Sequence, residues 1–227
     1  MTLRHTLHSL VPIALALVNL GVVAVALARH PAFFSEPGAR LTAAGSVAAM
    51  AACAAAIGWA GNGRRRAALF EIAVIFGCIG AALEVLNIAI ENSMGNRAAI
   101  TLGFMLLVFL SWGAAGFRAT TALGTLRSGV SAAVLSALIC MLLAVTAGFL
   151  FELLLRPPDA SSVATWAEFK RSGWTDVRAF AIANTLGAGF THLVVAPFIA
   201  ILFGCAGSLL GQVRQKPVSR NSGPLIP

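Results

Sequence analysis

The chain has 227 residues, 59% hydrophobic and only 11% charged, with a mean hydropathy of +0.88. That composition excludes a soluble globular domain, a disordered tail and a disulfide-stapled secreted scaffold. Its net charge of +8, from 16 Lys and Arg against 8 Asp and Glu, would suggest nucleic acid in a soluble protein. In a membrane protein it instead reflects basic cytoplasmic loops and anionic lipid head groups, so no nucleic-acid partner is expected.

Six apolar runs occupy residues 10–28, 41–60, 67–90, 98–117, 130–155 and 179–210. A spanning helix needs about 20 apolar residues, and each run is long enough to cross a hydrocarbon core about 30 Å thick. Helix is the assignment that satisfies the backbone in lipid, and the runs are continuous rather than alternating, unlike barrel strands. The expected fold is therefore all-α: a polytopic transmembrane bundle of about six spanning helices. It fills residues 1–211 as one domain and is followed by a basic, disordered tail at 212–227 that contains Pro217, Pro224 and Pro227. No sizeable soluble domain fits in the remaining length.

The first run follows Arg4 and ends in small residues (Ala24, Ala26, Ala28) that resemble a signal-peptidase site. Its apolar stretch of about 18 residues exceeds a signal core of about 7 to 15, so it is read as a retained span. The second run holds ten alanines with Gly45 and Gly58, while Val47, Met50 and Ile57 form one narrow stripe. Small surfaces let helix backbones approach closely in lipid, which places this helix in the middle of the bundle. The third run carries Gly77, Gly80, Glu84, Asn87 and Glu91, spaced 3, 4, 3 and 4 apart. At 100° per residue they share one face within about 80°. The fourth run is crowded with Leu, Phe, Met and Val and faces lipid.

The fifth run is long, and Glu152 and Arg156 at its end read as a local i,i+4 pair. Pro157 and Pro158 stop it. In the loop up to Arg178, Ser161 or Ser162 would cap a short interfacial helix carrying Val163, Trp166 and Phe169, with Gly173 ending it. Thr175 or Asp176 would cap the last helix. That helix contains Gly187, Gly189 and Pro197, which predict a tilt, kink or break.

Orientation follows the Lys/Arg distribution. The side holding both termini carries nine, including the compact Arg64–Arg66 cluster, against seven on the other. Basic residues are retained in the cytoplasm, so both termini are assigned there, in a bacterial-type inner (plasma) membrane. Cys53, Cys78, Cys140 and Cys205 all fall inside apolar runs, without metal-type spacing, and read as packing residues.

Polar groups within the spans carry the functional reading. A carboxyl near the bilayer centre costs on the order of 3 kcal/mol on insertion scales, so Glu84 should face protein or water and be protonated or paired. One reading makes it a proton carrier or cation ligand, with Asn87 orienting a solute beside it. The other makes it a hydrogen-bonded packing group. The last helix supplies Asn184, Thr185, Thr191 and His192, in which a neutral imidazole can accept or donate a proton near physiological pH. Its alternative is a His bonded across a helix contact. Asn19, Ser136 and Thr146 read as backbone hydrogen bonders, Glu71 as an interfacial partner of Arg64–Arg66, and Glu91 as reaching head-group water.

Absences narrow the field. No Gly-rich phosphate loop, no Lys in a span for a Schiff base, no facing His pair for haem and no protease or lipase set is present. No catalytic residue, metal ligand or cofactor site is assigned, and an enzyme is the least favoured reading. Three functions compete. The first is a carrier or carrier subunit for a small polar solute or a proton. The second is a non-catalytic accessory or assembly subunit, docking a membrane-protein partner or a second copy through small-residue helix faces. The third is a lipid-modifying enzyme. A water-accessible central cavity lined by Glu84, Asn87 and His192 would favour the first.

Overall fold

The computed structural model describes residues 2–60, 64–94, 98–155 and 159–215. Its long helices are α1 (Thr2–Arg29), α2 (Ala39–Ala60), α3 (Arg64–Met94), α4 (Ala98–Leu123) and α5 (Leu126–Phe149). Two short helices, α6 (Ala160–Val163) and α7 (Ala167–Ser172), precede α8 (Val177–Gln215). No strand occurs among the described residues. Five segments are long and apolar enough to cross a membrane: Ala39–Ala60, Ala67–Glu91, Ala98–Leu123, Leu126–Leu155 and Val177–Arg214. In α1, Ile13–Arg29 is a shorter apolar stretch. The chain is an all-α, multi-pass helical bundle of the kind its apolar runs predict.

The centre of the bundle is α5, and not α2 as the alanine content suggested. It packs against all five of the other long helices, and 61% of its apolar window is buried, against 22–33% in the others. α2 lies at the edge, against α1, α5 and α8. Only Ala39 and the 3–4-spaced stripe of Ala43, Ser46, Met50, Cys53, Ala54 and Ile57 are buried, while most alanines between face outward. The reason is physical. Alanine permits close approach but provides little surface to hold it, and the few large side chains of α2 choose its one contact face. α4 is the least buried span and exposes Leu102, Leu106 and Leu110.

Two ends of the bundle differ in packing. Towards the C-terminus of α8, glycines bring α4 and α8 into backbone contact. A Cβ on Gly207 would overlap the Gly113 carbonyl oxygen, and one on Gly116 would lie 2.8 Å from that of Gly204. At the opposite end, the loop end, which carries residues 30–38 and 159–176, a cavity lies between the helices.

The loop end has its own core. Phe33, Trp174, Phe180 and Phe169 form a chain of edge contacts with centroid separations of 6.0, 5.9 and 5.3 Å. The expected single loop helix is two, because Trp166 interrupts it in an extended conformation. Its cap is Asp159, which accepts from the Ser161 hydroxyl and the Ser162 amide, rather than either serine. Gly173 ends α7 at φ 74°, a left-handed conformation suited to glycine. Asp176 caps α8 through the amides of Arg178 and Ala179 (2.8 and 3.0 Å).

α8 is continuous over 39 residues, about 58 Å at 1.5 Å per residue, so Gly187, Gly189 and Pro197 do not break it. The Asn19 amide donates to Thr146 Oγ1 (3.0 Å), which donates to Leu142 O (2.6 Å). These two residues therefore join α1 to α5 rather than bonding only their own backbones. The four thiols are free. Arg97, Arg156, Pro157, Pro158 and residues 216–227 of the expected tail lie outside the described residues, as do the side chains of Arg64–Arg66.

Candidate functional site

The face of α3 identified by its spacing divides between two tasks. At its inner end Gly77 and Gly80 seat the helix on α5: Cβ atoms there would meet Ile139 at 2.9 Å and Cys140 Sγ at 3.0 Å. From about one turn beyond Gly80, Glu84, Asn87 and Glu91 continue the same face. They line a cavity of about 440 Å³ between α3, α4, α5 and α8.

Five of the six residues expected from sequence meet there: Glu84 and Asn87 from α3, and Thr185, Thr191 and His192 from α8. About one hundred residues separate the two groups, and no local pattern connects them. Asn184 is not brought in. It stands beside Thr185 on α8, does not line the cavity and is exposed. Three further polar residues line the space: Glu91, Thr101 and Glu152. The walls between are apolar, formed by Met105, Phe109, Trp112, Met141, Phe149 and Ile199 among others.

Hydrogen bonding distinguishes the three carboxyl groups. Glu91 Oε1 accepts from Thr101 Oγ1 at 2.5 Å and Glu152 Oε2 from Thr185 Oγ1 at 2.9 Å. Glu84 accepts no hydrogen bond and joins no ion pair among the described residues, although Glu91 and His192 are near enough to act on it electrostatically. One turn further, Asn87 is only 4% exposed and its Oδ1 has no partner. A buried carbonyl oxygen left unpaired costs about 1–3 kcal/mol unless something donates to it.

His192 has a defined ring orientation. Its Nδ1 lies 2.8 Å from Ala188 O. A carbonyl oxygen only accepts, so Nδ1 carries hydrogen and Nε2 is left as the position at which a proton is gained or lost. Thr191 instead donates back to Gly187 O at 2.9 Å, which occupies its hydrogen while leaving its oxygen lone pairs available.

Sequence spacing missed Glu152. It sits in a π-helical turn (Leu150–Leu155) that continues α5, and π turns recur at functional sites because the wider turn re-aims side chains. Phe149, just before it, packs so closely on Gly189 that a Cβ there would lie 2.8 Å from the ring. The expected partner of Glu152, Arg156, is outside the described residues. Its observed partner is Thr185, on α8. Glu152 and Thr185 also line a second cavity of about 530 Å³ at the loop end, together with Arg29, His30, Asp159 and Arg178. Their hydrogen bond thus stands in the wall that both spaces share.

Among the described residues, no three of His, Cys, Asp and Glu converge closely enough to hold a metal ion. No family model matches the chain, and no curated protein or solved structure matches it.

Proposed function

We propose that this protein is a proton-linked carrier, or the carrier subunit of a membrane complex, for a small solute. It sits in a bacterial-type inner membrane with both termini in the cytoplasm. One observation carries the reading: within the spans, Glu84 and His192 line a single cavity beside the unpartnered Oδ1 of Asn87. In this reading Glu84 carries the proton, His192 exchanges one through Nε2, and Asn87, Thr185 and Thr191 hold the solute's polar atoms. Solute reaches the site from the loop end through the outer cavity, while the glycine-mediated contact of α4 with α8 closes the opposite end.

The experiment is reconstitution into liposomes enclosing a pH-sensitive dye. Wild type should move protons when a transported solute is supplied. Glu84→Gln should abolish that movement, since an amide holds no exchangeable acid proton, and His192→Ala should slow it. Proton movement unchanged in Glu84→Gln would overturn the assignment. A second reading has its own observation. The outward alanines of α2 (Ala44, Ala48, Ala51, Ala52, Ala55) are exposed and form a surface of the type that docks other helices in lipid. An accessory subunit would co-purify with a partner in mild detergent and lose it on Ala48→Leu.

A further inference from the structure

The lining of the inner cavity restricts what can occupy it. Among the described residues its ionisable groups are Glu84, Glu91, Glu152 and His192, and no described Lys or Arg lines it. A solute anion would meet these acidic side chains with no described basic residue to offset them. A small inorganic cation would need several oxygen ligands to replace its water, and the acidic side chains do not converge for that. Most of the wall is apolar, with Phe109, Trp112 and Phe149 supplying aromatic surface. Such a wall suits a carbon body, and aromatic faces also attract cations.

Two acceptors remain. Glu84 has no donor among the described residues, and Asn87 Oδ1, on the next turn of the same helix face, is buried without one. The remaining carboxyls are engaged by Thr101 and Thr185. An acidic group and an amide oxygen three residues apart on a helix are neighbours, so one nitrogen bearing two or more hydrogens can donate to both. We propose that the cavity binds a small organic ammonium ion with an apolar body, its charge on Glu84 and a second N–H on Asn87 Oδ1. The proposal rests on reading this cavity as a solute site and specifies the chemical class that it takes.

The test is equilibrium dialysis of the detergent-solubilised full chain with radiolabelled 2-phenylethylammonium. The comparators are its N-trimethylated analogue, which has no N–H, and phenylacetate, which reverses the charge. Saturable binding of the primary ammonium is expected, with none of phenylacetate. The trimethylated compound should bind more weakly by about tenfold or more, because it loses the N–H donors to both Glu84 and Asn87. Glu84→Gln should weaken the primary ammonium by about tenfold or more. Asn87→Leu should narrow the gap between the primary and trimethylated compounds while retaining both, leaving the part due to the N–H donated to Glu84, a readout that a merely unfolded variant would not give. Equal binding of phenylacetate would overturn the proposal. So would affinity unchanged by Glu84→Gln, or no saturable binding up to millimolar concentration by protein with wild-type helix content. Ammonium binding without proton-linked flux would retain this site and remove the carrier role. Proton-linked flux of another solute without ammonium binding would do the reverse.

Discussion

Glu36 ties the turn after α1 to the start of α8. Its carboxylate accepts from the Thr175 hydroxyl (2.7 Å), the Thr175 amide (3.1 Å) and the Asp176 amide (2.8 Å). These bonds, the Thr175 hydroxyl foremost, hold the carboxyl below its ordinary value of 4.5, because they favour the charged form. A depressed carboxylate contributes stability that is complete above its unfolded value and is lost as pH falls through the folded one. The difference in thermal unfolding temperature between wild type and Glu36→Gln should therefore be constant from neutrality to about pH 5 and shrink below pH 4.5. A difference that did not change with pH would remove the role of ionisation. At this scale Glu84 and Asn87 were legible in the sequence, since acid and amide inside an apolar run stand out. Glu91 and Glu152 were not, because near a helix end a carboxylate reads equally well as solvated.

Between elements, the meeting of the π turn of α5 with α8 matters most. The Glu152–Thr185 bond lies in the wall common to the inner and outer cavities, and breaking it should widen the passage. A cysteine at Ala144, which lines the inner cavity, reports this when the four native cysteines are replaced by serine. In proteoliposomes a membrane-impermeant cationic thiol reagent should label it about tenfold faster in Glu152→Ala or Thr185→Val than with the bond intact, as expected for one hydrogen bond removed. Labelling at Ala181→Cys in the outer cavity should stay the same. An unchanged rate at position 144, with position 181 still reactive, would mean that the pair is not a barrier. The existence of α5 and α8 was readable from hydropathy and their ends to within a few residues. The π turn was not, since it has no side-chain period of its own, and the split loop helix was missed because its cap is an aspartate before the serines.

For the molecule as a whole, the membrane imposes an orientation that the proposed function depends on. If both termini are cytoplasmic, as proposed, an epitope inserted at Lys170 should be reached by antibody on intact spheroplasts, and tags at either terminus only after permeabilisation. The opposite pattern would invert the direction in which the cavity opens. Replacing Arg64, Arg65 and Arg66 by Gln should weaken this orientation if that cluster supplies the charge for it.

What the sequence determined by itself were local quantities: where spans begin and end, that they are helices, and which face of α3 carries its polar groups. Hydropathy and the 3.6-residue period fix these without reference to neighbours. Only the tertiary structure decided that α5 rather than α2 is central, that α3 and α8 turn their polar residues to one cavity, that Asn184 stays outside it and that Glu152 pairs with Thr185. In lipid an apolar face is satisfied equally by acyl chains or another helix, so hydropathy does not encode neighbours. Helices choose partners by shape, where glycine lets backbones touch and larger side chains hold them apart, and that information lies between elements rather than within them.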